Sequence, residues 1–412
     1  MKKYWIITYG CQRNKNDSER IASLLEKISY KPAISIKKAD LLLINACSVR
    51  QSAIDRIWGQ IKNFKKTKTK TILTGCVLKK DKRKFSKEFD IILDIKELSK
   101  LPEKLKTKSF KNYSDYLKIE PKYHSNFCAH VPIMTGCNNF CTYCAVPYTR
   151  GKEISRPTKE ILEEIKKLIK KDYKEIWLLG ENVNSFKSGI TNFAKLLKMI
   201  NKIQGKFWIR FMSPHPKDFS DELIKVMSES EKITPYLNLP IQSGDNQILK
   251  KMNRPYTIDN YKKLVKKIRK KIPRITLSTD VIVGFPGETK KQFENTAKLF
   301  KEIKFDMAYI SQYSPRPESV AYKFEDNISH FEKEKREYIL NEILKKTALE
   351  NNKKYIEKII EVLPREFKKG FLTGKSESYK TVKFEGDKKL IGNFVKVKII
   401  KALPWGLKGK LK

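Results

Sequence analysis

YWIITYGCQRNKNDSERIASLLEKI, residues 4–28, begins with a β-forming run from Tyr4 to Tyr9, breaks at Gly10, and passes into an amphipathic stretch from about Asp17 to Ile28. That order predicts a strand leading into a helix. The unit recurs downstream: a strand at Leu41 to Asn45, a helix from about Ala53 to Phe64, and another strand at Thr71 to Leu73. Such alternation predicts an N-terminal parallel-sheet α/β domain over residues 1–115. Parallel strands put their carboxyl ends on one edge, where groups distant in sequence meet. Cys11, Cys47 and Cys76 each lie one to three residues past a predicted strand, so three thiols are expected to converge there.

Outward from this domain, Lys96 to Tyr123 reads as a linker carrying a short helix, and a second α/β run occupies residues 123–350. Its strands are predicted near Phe127 to Met134, Glu175 to Leu179, Phe207 to Met212, Tyr236 to Ile241, Ile275 to Val283 and Met307 to Gln312, with helix starts at Ser155 to Thr158 and at Asp221. These strands and their helices predict a partial, open (β/α)6 barrel with its site at the carboxyl ends of the strands. Residues 352–412 show short alternating runs broken by Gly370, Gly374, Gly386 and Gly392, the pattern of a small antiparallel β-barrel.

The whole chain has 412 residues, with 88 basic against 46 acidic side chains and a formal charge of +42. With 40% hydrophobic residues it can fill cores, which argues against disorder. No apolar run reaches the ~18 residues a membrane span needs, so no membrane partner and a cytoplasmic location are expected. Positive charge invites a nucleic-acid reading, yet lysines spread over every helical face are also what solvated surfaces carry. The last segment exceeds that background, with 17 Lys and Arg against 6 Asp and Glu from Asn352 to Lys412. Phe371, Tyr379, Phe384, Phe394 and Trp405 would suit an RNA platform there, and the alternative is a structural cap whose aromatics fill the barrel.

Seven cysteines are few for a disulfide scaffold. Cys137, Cys141 and Cys144 form a CxxxCxxC triplet in the loop after the first strand of the second run. Three thiolates on so short a loop can hold three irons of a 4Fe-4S cube and leave the fourth without a protein ligand. An open iron can bind S-adenosylmethionine and pass it an electron, making a radical that removes an unactivated hydrogen. Structural zinc is the competing reading, but it needs four ligands, and His124, His130 and Cys128 stand at the wrong offsets. Cys128, on an apolar strand, reads as a core residue.

The segment GCNNFCTYCAVPYTRGKEISRP (136–157), with Tyr143 before the third cysteine, resembles the signature of the methylthiotransferase family of radical S-adenosylmethionine enzymes. YGCQRNKNDS, NACSVR, TGCV, LLGENVNSF, RFMSPHPKDFSDELI, LPIQSGDNQILKKMNRPYT and STDVIVGFPGET agree with it in order, and the end segment is similar to a TRAM domain. The resemblance implies an enzyme that replaces C–H by C–SCH3 in tRNA. In it Cys137, Cys141 and Cys144 would hold the catalytic 4Fe-4S cluster, Cys11, Cys47 and Cys76 a second, sulfur-delivering 4Fe-4S cluster, and S-adenosyl-L-methionine would serve as radical source and methyl donor.

Tyr143, Gly180, Glu181, Asn182, Gln242, Ser243 and Arg254 would bind the cosubstrate, with Arg254 paired to its carboxylate, while Arg150 and Arg156 are candidates for RNA phosphate or cosubstrate. NACSVR and PYTRGKEISRP look most like the group acting on C2 of N6-isopentenyladenosine in the tRNA anticodon stem-loop. Groups acting on threonylcarbamoyladenosine or on a ribosomal protein are the alternatives, with a non-catalytic iron-sulfur or zinc RNA-binding protein behind them. Ala46, and Pro317 to Ser319, depart from the family's usual residues. The implied partners are tRNA, a reduced flavodoxin or ferredoxin type electron donor and an unidentified sulfur donor, with the chain acting as a monomer.

Overall fold

The computed structural model describes residues 1–49, 51–65, 69–107 and 115–412. Its contacts gather into two compact units, the first Met1–His124 with Thr135–Ile154 and Ser314–Lys323, the second Ser125–Met134, Ser155–Tyr313 and Phe324–Lys412.

The first unit is built on β1 (Lys3–Thr8), α1 (Gln12–Lys27), β2 (Lys31–Pro32), β3 (Leu41–Cys47), α2 (Gln51–Lys65), β4 (Lys70–Cys76), α3 (Lys79–Phe85) and β5 (Ile91–Ile92). The strands form one parallel sheet in the order β2-β1-β3-β4-β5. Strand β3 is buried at every position because both faces of the sheet are covered. Leu41 and Leu43 face a core with Ile21, Leu24 and Leu25 of α1, and Leu42 and Ile44 face another with Ile54, Ile57 and Ile61 of α2. Each such side chain contributes about 1.5–3 kcal/mol by leaving water. The segment read as a linker belongs to the first core, since Leu98, Leu101, Leu105, Tyr116, Leu117 and Ile119 are buried in it. Its apolar residues are spaced over irregular turns, a pattern without strand or long-helix periodicity. The middle of that reading, residues 108–114, lies outside the described residues.

The second unit carries β6 (Cys128–Pro132), β7 (Glu175–Leu179), β8 (Trp208–Phe211), β9 (Tyr236–Asn238), β10 (Thr276–Val283) and β11 (Met307–Gln312). They pair in parallel as β8-β7-β6 and β9-β10-β11, and a single parallel bridge, Ile209 to Ile233, links β8 to the stretch entering β9. The expected open six-stranded array is thus present, interrupted between its third and fourth strands. Helix Asp221–Glu229 is capped by Ser220, whose hydroxyl accepts from Leu223 N, so Asp221 sits inside the first turn. Its charge there suits the positive helix end.

The terminal barrel comprises β12 (Ile359–Lys368), β13 (Phe371–Ser376), β14 (Thr381–Glu385), β15 (Val395–Leu403) and β16 (Gly406–Leu411) around Val362, Leu372, Val382, Phe384, Val397, Ile399 and Leu407. Four of its pairings are antiparallel, but it closes through a parallel pairing of β14 with β16, which corrects the expectation of an all-antiparallel barrel. Among the described residues no helix is long and apolar enough to cross a membrane.

Candidate active site

Both cysteine trios lie in the first unit. Cys47 and Cys76 are the last residues of β3 and β4 and stand directly opposite in register, both buried. Cys11 follows β1, is exposed, and caps α1 in a reciprocal arrangement with Asn14. Asn14 is fully buried, and its amide nitrogen donates to Asn45 Oδ1 at 3.0 Å and to Ala46 O at 3.1 Å, with Cys76 Sγ 4.0 Å away. Gly75 has φ +105°, and a Cβ there would come within 2.3 Å of Ala46 O, so only glycine lets β4 approach β3 this closely at the edge.

The three thiols feel one another. Although Cys11 as a residue is exposed, desolvation of its sulfur and then the Cys76 thiol push it up. A hydrogen bond between Cys47 and Cys76 raises Cys76 well above its ordinary range and lowers Cys47, with Arg150 pulling both down. Among the described residues no three His, Cys, Asp or Glu side chains close on one point as the ligands of a single metal ion do. Thiolates of a cube sit on separate irons, and three neighbouring thiols on one sheet edge fit that donor set.

The loop Thr135–Ile154 carries the CxxxCxxC trio. Gly136 (φ +78°) would clash with Lys152 O at 2.0 Å if it bore a Cβ, which fixes where the loop turns back on itself. Cys137 N donates to Gly151 O at 3.2 Å and Cys144 N to Cys141 O at 2.9 Å. Val146 N lies 3.5 Å from Cys144 Sγ, a donor suited to a thiolate ligand. Cys137 and Cys141 are buried, and Cys144 and Tyr143 half-buried. Ala321 N donates to Thr142 O at 2.7 Å, so the segment with Pro317, Glu318 and Ser319 packs on this loop.

The remaining predicted residues lie in the second unit at the carboxyl ends of β7 and β9. Gly180 leaves no room for a side chain, since its Cβ would meet Met134 Cγ at 2.7 Å. Asn182 is buried, its nitrogen bonded to Asp218 at 2.8 Å and its Oδ1 without a hydrogen-bond partner among the described residues. Glu181 is half-buried beside it. Gln242 adopts φ +71°, and its backbone joins β10 through Asp280 and Ile282. Ser243 is fully buried and accepts from Asp245 N at 3.3 Å, a bond within its own turn. Arg254 Nε donates to Tyr256 OH and NH2 to Pro240 O, both at 2.8 Å, so much of its guanidinium supports the loop after β9.

Sequence reasoning missed His215 and misjudged two arginines. His215 follows β8, is buried, and accepts from Lys217 N through Nδ1 at 3.2 Å. Its edge meets Tyr256 at 5.7 Å between ring centres. The signal available was a histidine between two prolines after a strand. Arg156 is bonded to Pro132 O and Glu164, both at 2.7 Å, and Arg150 is buried against Cys76, Tyr116 and Asp17. Neither reaches the surface for RNA, because each is buried and held by partners inside the fold.

Three family models match the chain: the Uncharacterized protein family UPF0004 over residues 3–94, the Radical SAM superfamily over 131–300 and the TRAM domain over 353–412. The tRNA-2-methylthio-N(6)-dimethylallyladenosine synthase of Thermoanaerobacter sp. (strain X514) is 41% identical, covering 99% of this chain and 92% of that one. The synthase of the same name from Clostridium novyi (strain NT) is 42% identical over 100% of this chain and 96% of its own. Among solved structures, the radical S-adenosylmethionine methyltransferase TsrM from Kitasatospora setae superposes with TM-score 0.56 at 11% identity, covering 76% of this chain and 73% of that one, a likeness of fold.

Proposed function

Since the chain belongs to the tRNA-2-methylthio-N(6)-dimethylallyladenosine synthase family of radical S-adenosylmethionine enzymes, we propose that its two cysteine trios divide one reaction between them. The reaction is methylthiolation of tRNA, in which C2–H of N6-isopentenyladenosine beside the anticodon becomes C2–SCH3. Two 4Fe-4S clusters and S-adenosylmethionine, when bound, supply the electron, the hydrogen-abstracting radical, the sulfur and the methyl group. Cys137, Cys141 and Cys144 would hold the cluster that cleaves the cosubstrate, and Cys11, Cys47 and Cys76 the auxiliary one.

The supporting observation is that the two trios share a single compact unit, one set on the carboxyl edge of its sheet and the other on a loop folded into that unit. Gly180 lets Met134 pack against the strand end, which sets the backbone proposed to meet the cosubstrate, and Asn182 offers a buried carbonyl oxygen to an amino or hydroxyl group. Tyr143, Glu181, Gln242 and Arg254 complete this reading as cosubstrate contacts, while Ser243 shapes the turn beside them. The electron donor proposed is a reduced flavodoxin or ferredoxin type protein, and the chain is proposed to act as a cytoplasmic monomer.

Anaerobically reconstituted protein should carry about eight irons per chain. Cys141→Ala should lower that to about four and abolish cosubstrate cleavage. Cys76→Ala should lose as much iron, keep part of the cleavage and lose sulfur insertion, and wild-type rates of thiolated product from it would overturn the division of labour. Mass spectrometry of tRNA nucleosides from cells lacking and then regaining the gene tests the substrate, with methylthio-isopentenyladenosine expected to disappear and return.

A further inference from the structure

We propose that Arg150 is a positioning residue of the auxiliary site: it ties the CxxxCxxC loop to the Cys76 sulfur and supplies the positive charge that sets the charge state favoured there. The inference rests on the assignment of Cys11, Cys47 and Cys76 to a cluster.

Arg150 ends the short helix Val146–Arg150, six positions beyond Cys144, and is only 3% exposed. Each guanidinium nitrogen has a different partner: Nε donates to Cys76 Sγ at 3.0 Å, NH1 to Tyr116 OH at 3.1 Å and NH2 to Asp17 Oδ2 at 2.6 Å. One side chain therefore joins the loop of one trio, a ligand of the other, α1 and the 115–119 segment. The planar fork makes this possible, since a lysine ammonium is a point charge without fixed donor directions.

Asp17 is fully buried and is shared with Arg13, whose Nε lies 3.9 Å from Oδ1 and whose NH2 donates to the same Tyr116 hydroxyl at 2.8 Å. Two guanidinium groups thus face the Asp17 carboxylate beside Cys76. A structural ion pair needs no sulfur in its circle, yet Arg150 Nε donates to one. An N–H donor and a cation at a ligand sulfur favour the more negative, reduced state of a cluster. Because the donor comes from the other trio's loop, movement of that loop alters the sulfur's electrostatic surroundings directly.

The test uses full-length protein with Cys137, Cys141 and Cys144 all changed to Ala, so that the auxiliary cluster alone remains. Iron of about four per chain is expected. Iron near zero would overturn the thiol assignment itself. In that background the midpoint potential is measured by electron paramagnetic resonance at poised potentials. Arg150→Gln, which removes the charge, should shift it to more negative values. Asp17→Asn, which removes the negative charge that both guanidinium groups face, should shift it the opposite way. A purely structural role predicts no such pair of opposed signs. Four irons with both midpoints unmoved, or both moved in one direction, would overturn the proposal, and if Arg150→Gln fails to fold, an unmoved Asp17→Asn midpoint overturns it alone.

Discussion

At the scale of single residues the sharpest consequence concerns His215. Burial pushes its pKa down to about 2, helped by the charges of Arg254 and Lys217. An unfolded histidine titrates near ~6.5. Above that pH both states are neutral. Below it the unfolded chain binds a proton that the native imidazole refuses, so native stability falls by about 1.4 kcal/mol per pH unit as the solution is acidified toward pH 2. The loss attributable to His215 is about 2 kcal/mol at pH 5. Urea unfolding of wild type and His215→Gln at pH 5 and pH 7 checks this, and the variant should lose that much less on acidification; equal losses would mean the imidazole is protonated in the fold. The cysteines were legible in the sequence because strand-end placement and CxxxCxxC spacing are local patterns. His215 and the partners of Arg150 were not, because Tyr256 in the one case and Asp17 and Cys76 in the other lie far away in sequence, and no spacing rule announces those.

Among the elements, β7 and β11 fall at their predicted bounds, β7 as an apolar run buried at every position and β11 as a strand that alternates exposed and half-buried residues between turn signals. The pairing of β14 with β16 was illegible because register between nonadjacent strands leaves no trace in either. What fixes the barrel on the second unit also escaped notice. Glu175, first residue of β7, is fully buried; its Oε1 accepts from Arg210 Nε at 2.6 Å and its Oε2 from Arg365 of β12. Burial alone would raise its carboxyl pKa, but the two guanidinium groups outweigh it and hold it below the usual range. Arg210 also donates to Ser376 O at 2.8 Å and Glu377 O at 2.7 Å. Removing the shared carboxylate leaves two cations without compensation. Glu175→Gln should therefore cost about 3–5 kcal/mol in urea unfolding, whereas a loss below about 1 kcal/mol, typical of exposed pairs, would show the clamp to be solvated.

For the molecule as a whole, the same clamp decides where RNA can be gripped. Within the second unit the barrel packs on the amino ends of the strands: Tyr379 lies against Trp177 and Tyr236 at 5.1 and 4.6 Å, and Phe394 against Trp208 at 4.6 Å. Those aromatics, with buried Phe384, are spent on packing and cannot stack on bases. Gly180 to Asn182 lie at the opposite, carboxyl ends, about 17 Å away across a five-residue strand. On the barrel's outer strands Lys401 stands opposite Lys408, and Lys398 opposite Lys410. Like charges directly across an antiparallel pair repel; Glu357 already pairs with Lys398 at 2.6 Å, and an anion over Lys401, Lys408 and Lys410 would relieve the rest of the row. With Trp405 exposed nearby, the surface suits a phosphate backbone. Changing Lys401, Lys408 and Lys410 together to Ala should weaken tRNA binding about tenfold or more at low salt and flatten the slope of log K against log salt by roughly 2–3. Cosubstrate cleavage without tRNA should stay at the wild-type rate. An unchanged salt slope would move the RNA grip off this face, and a parallel loss of cleavage would make the barrel a folding support instead.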